Sequence, residues 1–272
     1  MPTAVGSTDS AIVTKALTRR FGDVVAVDQL DLEVEHGTIF GLLGPNGAGK
    51  STTIKMLTTL LPPTSGTAIV AGYDVQREPA EVRRHIGYVP QLVSADGALT
   101  GRENLLLSAK LYDVPRGERP SRIRDALRLM GLEDAADSLV KTYSGGMVRR
   151  LELAQALLHR PAVMFLDEPT MGLDPMARHA IWDHLRESRV RFAMTVLITT
   201  HDMEEAESLC DRIAIMHAGR LAASGTPDEL KKVVGPKATL DDVFAHFAGG
   251  AIEEGGSYRD AVSIRRTGRR LG

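Results

Sequence analysis

Cysteine is almost absent: Cys210 is the one thiol in a chain of 272 residues. It has no second thiol for an internal disulfide or a shared thiolate metal site, which fits a reducing cytosol, and it reads as a small buried hydrophobe. Long hydrophobic runs are missing too. Val163–Leu166 and Thr195–Ile198 fall far short of the roughly 18 to 20 apolar residues that cross a bilayer, so work at a membrane requires another chain to span it. Met1 to Thr14 has no basic cluster leading into an apolar stretch, which argues against a secretory signal. Charge of one sign is also lacking. The formal net charge of -2 gives no whole-molecule attraction to nucleic acid or anionic lipid, and no nucleic-acid partner is expected. What is present is an ordinary composition, 43% hydrophobic and 25% charged, enough for one large domain with small appendages.

The hydrophobic rhythm changes along the chain. Leu30, Leu32 and Val34 alternate with Asp31, Glu33 and Glu35, a strand with one wet face that His36-Gly37 then turns, so the opening is expected to be an antiparallel β-subdomain. The runs Ile39–Leu43, Val163–Leu166 and Val196–Ile198 lack alternation, and each precedes helical sequence, as parallel strands buried on both faces do. Leu99–Met130 reads as mainly helical with a break at Asp113–Pro120, and residues 92 to 142 are taken as a helical subdomain inserted in the α/β core.

Gly44-Pro45-Asn46-Gly47-Ala48-Gly49-Lys50-Ser51 fits GxxxxGK[ST] between a strand and a helix, the context the pattern requires. Its glycines let successive backbone N–H groups turn inward around phosphate oxygens, and the helix starting near Lys50 adds its positive end. The pattern puts Lys50 on the β- and γ-phosphates and the Ser51 hydroxyl on Mg²⁺. Downstream, Val163–Leu166 ends in Asp167-Glu168, at the strand end where ligands of α/β sheets sit. Asp167 is expected to hold Mg²⁺, and Glu168 to orient and deprotonate water. Thr195–Thr199 leads to His201 on the same edge, placed to hydrogen-bond the γ-phosphate.

Tyr143-Ser144-Gly145-Gly146-Met147 opens a further helix, on which Met147, Leu151, Ala154 and Leu158 form an apolar stripe while Arg149, Arg150, Glu152 and Gln155 are expected to face away. Blandly, Ser144 is an N-cap; functionally, a Ser-Gly-Gly helix start approaches an anion closely. Here the sequence resembles the nucleotide-binding subunits of ABC transporters, over about residues 11 to 230 and with each expected motif in order. The resemblance implies the ABC ATPase fold: α/β, with a P-loop NTPase core and a mostly parallel sheet, an N-terminal antiparallel β-subdomain and the inserted helical subdomain. It implies ATP and Mg²⁺ as ligands, and an ATP-binding loop of Gly44, Pro45, Asn46, Gly47, Ala48, Gly49, Lys50, Ser51 and the adjoining Thr52. It assigns Phe21 to stacking on adenine, Gln91 to sensing Mg²⁺ and γ-phosphate, Asp174 of Gly172-Leu173-Asp174 to the D-loop, and His201 to the switch position. Catalysis would then involve Glu168, His201 and Gln91, and the metal Ser51, Gln91 and Asp167.

In that family two subunits pair head to tail, so Ser144, Gly145, Gly146 and Met147 of one copy would close over ATP held by Lys50 of the other. The commonest signature there is Leu-Ser-Gly-Gly-Gln; Tyr143 and Met147 depart from it and look like the branch of daunorubicin-resistance ATP-binding subunits. Thr239-Leu240-Asp241-Asp242-Val243-Phe244 resembles the C-terminal element of that branch, a short helix capped by Thr239 with an apolar stripe of Leu240, Val243, Phe244 and Phe247. The expected layout is a nucleotide-binding domain over 1–235, a short helix over 236–250 and a flexible tail over 251–272. The expected function is ATP hydrolysis driving a drug or antibiotic exporter, at the cytoplasmic face of the membrane, with a separate integral permease and a second copy of itself as partners. An importer ATPase subunit is one alternative. A soluble ABC ATPase of DNA repair or translation is another, disfavoured by the single cassette and the lack of paired cysteines or a long heptad run.

Overall fold

The computed structural model describes residues 10–248; the expected tail over 251–272 lies outside them. In chain order the first strands are β1 (Ser10–Phe21), β2 (Val24–Glu35) and β3 (Ile39–Leu43), followed by α1 (Lys50–Leu57), β4 (Ser65–Val70) and β5 (Tyr73–Asp74). Next come α2 (Pro79–His85), β6 (Ile86–Val89), α3 (Gly101–Leu111), α4 (Arg119–Leu129) and α5 (Gly145–Leu157). The chain continues through β7 (Val163–Asp167), α6 (Pro175–Phe192), β8 (Thr195–Thr200), α7 (Met203–Leu209), β9 (Arg212–His217) and β10 (Arg220–Gly225). Helices α8 (Pro227–Val234) and α9 (Leu240–Ala248) complete it.

Two sheets organise these elements. The first, in the order β2-β1-β4-β5, is antiparallel throughout. On β2 the alternating residues separate as their chemistry demands, with Leu30, Leu32 and Val34 buried and Asp31, Glu33 and Glu35 exposed. The second sheet runs β10-β9-β3-β8-β7-β6 and is parallel except for the β9–β10 hairpin at its edge. Every residue of β3, β7 and β8 is buried, which is why these strands show no alternation.

One apolar core fills the space between the sheets around α1, with Phe40, Ile54, Met56 and Phe165. The other lies between the parallel sheet and the following helices, where Trp182 is 1% exposed. The chain from 92 to 142 carries α3 and α4, separated by residues 112–118, where Pro115 forbids a continuous helix. A capping box joins Thr100 and Glu103 at the start of α3, and Pro120 opens α4. Helix α5 packs on both and carries the chain back to β7. At the far end Thr239 and Asp242 exchange hydrogen bonds, and Leu240 and Val243 of α9 are buried beside α8 and β9.

Candidate functional site

Strand register decides which side chains meet. In the parallel sheet Leu43 pairs with Thr200, Asp167 with Thr199, and Val89 with Leu166, so β3, β8, β7 and β6 end on one edge. The loops that follow carry the glycine run, His201, Glu168 and Gln91 respectively. Four segments far apart in sequence thus open onto one crevice, the usual ligand position in such sheets.

The glycine loop has a backbone that few side chains tolerate. Gly47 and Gly49 take φ of 83° and 103°, and a Cβ on Gly49 would lie 2.5 Å from the Ala26 carbonyl oxygen of β2. Gly44 is held as closely, by the Met216 carbonyl at 2.5 Å from the same hypothetical atom. Helix α1 starts at Lys50 with no side-chain cap, leaving its first amides free of a side-chain acceptor. Lys50 is 5% exposed; its Nζ donates to the carbonyls of Gly44 at 2.7 Å and Pro45 at 3.2 Å, and lies 3.7 Å from Glu168 Oε1. Burial pushes the ammonium's pKa below its ordinary value, against Glu168 and Asp167, which hold it up.

Oxygen ligands converge beside the amine. Ser51 Oγ donates to Asp167 Oδ1 at 3.1 Å, and Thr199 Oγ1 donates to the same oxygen at 2.5 Å. The Glu168 N–H donates to Thr199 Oγ1 at 3.1 Å, fixing the residue that follows Asp167. Glu168 has a φ of 49°, left-handed backbone that costs a non-glycine residue of order 1 kcal/mol and is typically tolerated at functional positions. Gln91 Nε2 reaches Glu168 Oε2 at 3.4 Å, and His201 Nδ1 is 3.3 Å from Glu168 Oε1. Burial, and then Asp167, pushes the nearby Tyr88 phenol up to about 12, so that it stays neutral.

The structure therefore brings together Lys50, Ser51, Asp167, Glu168, Gln91 and His201. It does not bring Ser144, Gly145, Gly146 or Met147 into bonding contact with them. Ser144 caps α5 by accepting from Met147 N at 3.3 Å, and the two glycines lie against Leu173 and Ala177. Asp174 caps α6, accepting from Ala177 N at 2.9 Å. Phe21 is 46% exposed at the end of β1, with the Arg19 guanidinium 4.6 Å from its ring centroid. Its partner strand β2 carries the Ala26 carbonyl that stops against Gly49.

The expected open polar face of α5 is corrected: Arg149 and Glu152 are buried at 7% and 3% exposure, and Gln155 donates to Ser108 Oγ at 3.0 Å. The helix is wedged between α3, α4 and the strand-end loops, so both its faces are covered. Sequence reasoning also passed over Thr199, because a threonine closing an apolar strand carries no motif, and Glu205. That carboxyl, 1% exposed, accepts from Thr170 Oγ1 at 2.8 Å and Trp182 Nε1 at 3.0 Å. It lines a cavity of about 110 Å³ with Glu168, Thr170 and His201. A backbone nest with a buried amine suits a polyanion; adjoining hydroxyl and carboxylate oxygens suit a hard cation. A further carboxylate beside them suits the activation of water.

The family model described as ABC transporter matches residues 27–171. The daunorubicin/doxorubicin resistance ATP-binding protein DrrA of Streptomyces peucetius is 48% identical over 225 residues, 83% of this chain and 68% of that protein. The Nod factor export ATP-binding protein I of Cupriavidus metallidurans is 45% identical over 210 residues, 77% of this chain and 69% of that one. Among solved structures, one described as the ATP binding subunit of an ABC transporter superposes with a TM-score of 0.79 at 32% identity, covering 88% of this chain and 99% of that chain.

Proposed function

Since this chain belongs to the ABC transporter ATP-binding family, and is an ATPase as that family is, we propose that it powers export of drug- or antibiotic-type cargo through a separate membrane permease. The observation that carries the reading is the single cluster joining Lys50, Ser51, Asp167, Glu168, Gln91 and His201. Lys50 and the 44–52 backbone hold the triphosphate. The oxygens of Ser51 and Asp167 form a hard donor pair that fits Mg²⁺, with Gln91 nearby. When bound, that ion offsets charge building on the phosphates. Glu168 accepts a proton from the attacking water, His201 and Gln91 fix the orientation of its carboxylate, and Lys50 stabilises the phosphoryl oxygens.

The His201 side chain is half exposed at the rim of the cluster, and Ser144 to Met147 sit elsewhere in the same chain, at the Ser144-capped start of α5. A second copy, docked head to tail, presents them to the nucleotide, with Asp174 and Met147 at the seam and Phe21 against the base. ATP then clamps the pair and hydrolysis releases it, which biases the permease between two states. No helix among the described residues is long and apolar enough to cross a membrane. Leu92 and Val93 after Gln91, and Leu107 and Leu111 one turn apart on α3, are exposed apolar side chains suited to contact with a permease segment. The chain works at the cytoplasmic face through that contact. One relative named for drug resistance and one named for export favour the exporter reading over an importer or a soluble repair factor.

Glu168→Gln tests the reading. It should lower ATP turnover by about 10²–10⁴-fold while leaving nucleotide binding intact, and should convert the protein to an ATP-dependent dimer on size-exclusion chromatography. Undiminished turnover in this variant would remove Glu168 as the base.

A further inference from the structure

The helix that begins at Ser144 is tied by one side chain to the other two segments that shape the hydrolytic site. Arg149 Nε donates to the Pro169 carbonyl at 2.7 Å, Nη2 to the Glu168 carbonyl at 3.2 Å, and Nη1 to the Pro90 carbonyl at 2.8 Å. Each of these carbonyls belongs to, or adjoins, a residue of the cluster: Glu168 itself, its successor, and the residue before Gln91. The guanidinium is paired within its own helix, Nη1 lying 3.0 Å from Glu152 Oε2. The other Glu152 oxygen accepts from the Ser94 N–H and, at 2.9 Å, from Ser94 Oγ, three residues beyond Gln91. Both side chains are buried, so water cannot replace these bonds if one is lost.

We propose that Arg149 is a positioning residue for hydrolysis: its planar fork sets the backbone at Glu168 and the loop of Gln91 from helix α5. The fork matters because one rigid group satisfies three carbonyls in fixed mutual geometry, which a lysine ammonium on a flexible stem does not reproduce. Glu168 has particular need of it, since its left-handed backbone persists only where surroundings over-determine it. Helix α5 has its Ser144 end one and a half turns from Arg149. Resting on the proposed head-to-tail pairing, a shift of α5 as that end meets the partner's nucleotide is therefore transmitted to the chain's own Glu168 and Gln91. One arginine makes each site sensitive to occupancy of the other.

The test uses the full chain, with steady-state ATPase kinetics in MgATP and, separately, binding of a fluorescent ATP analogue. Arg149→Lys keeps the charge opposite Glu152 but loses the fork. It should lower kcat by about tenfold or more, in the range a misplaced catalytic group costs, and leave KM and analogue affinity unchanged within about twofold. The Hill coefficient for ATP should fall towards unity. Because an unpaired buried charge can unfold a protein, the double variant Arg149→Met with Glu152→Met removes both charges together; it should melt below the wild type, since the carbonyls and Ser94 lose their partners, and in its folded form should show the same split between kcat and KM. Wild-type kcat in a folded Arg149→Lys or double variant overturns the inference. So does an equal loss of kcat and nucleotide affinity, which marks a merely structural contact. A wild-type chain that binds the analogue without turning over ATP instead defeats the functional reading beneath it.

Discussion

Glu205 shows what a single buried carboxyl does at this site. Burial raises its pKa above the ordinary 4.5, while hydrogen bonds from Thr200, Thr170 and Trp182 partly oppose the rise. For an acid with a raised folded pKa, the stabilising contribution is complete below the unfolded value and is lost as pH climbs through the folded one. Glu205→Gln keeps the shape and an acceptor oxygen but cannot ionise. Its melting temperature should therefore improve relative to wild type as pH rises from about 4 to 8; a difference that stays constant across that series would show that Glu205 ionises in the fold at no cost. Other site residues differ in how plainly they can be read. Lys50, Ser51, Asp167 and Glu168, which the structure gathers in one cluster, are legible because each falls in a short contiguous motif at a strand end. Thr199 and Glu205 act through partners distant in sequence, and Arg149 sits where helical periodicity predicts an outward face. Nothing local distinguishes such residues from ordinary strand and helix positions.

At the scale of elements, local chemistry and burial pull together. β2 alternates because one face is wet, and β3, β7 and β8 do not because neither is, so these four strands are legible from apolar rhythm, whereas the remaining strands of the two sheets are not marked by it. Helix α5 defeats the same reasoning. Its stripe of Leu151 and Ala154 is where the period puts it, yet α3, α4 and the strand-end loops enclose the polar side too. Helix α3 depends on its start: Thr100 Oγ1 accepts from Glu103 N at 3.2 Å, and Glu103 Oε2 accepts from Thr100 N at 2.8 Å. Thr100→Ala should cost about 1 kcal/mol, visible as a lower urea midpoint with an unchanged slope. An unchanged midpoint would mean that packing against α4 and α5 holds the helix without the cap.

For the whole molecule, the exposed apolar side chains of the loop after Gln91 and of α3 make a separable demand. Asn104 Nδ2 donates to the Asp96 carbonyl at 2.9 Å, tying the loop after Gln91 to α3, so Leu92, Val93, Leu107 and Leu111 ride on one braced unit. A Leu107→Glu, Leu111→Glu variant should keep the ATPase activity of the free chain and lose its co-sedimentation with membranes from cells that also make the permease. Retained co-sedimentation would move the docking surface elsewhere. The sheet order imposes a different condition, on how the chain comes into being. β3 lies at the centre, between β8 and β9, and Ile39 pairs with Val196 while Phe40 pairs with Arg212. A ribosome adding about 5–20 residues per second leaves β3 without either neighbour for on the order of ten seconds. In that interval a wholly apolar strand and a glycine loop with nothing to hold are exposed together. The glycine loop that follows β3 is thus translated well before the strands that flank it, and the edge of the sheet on which it opens is complete only once β8 and β9 have been made.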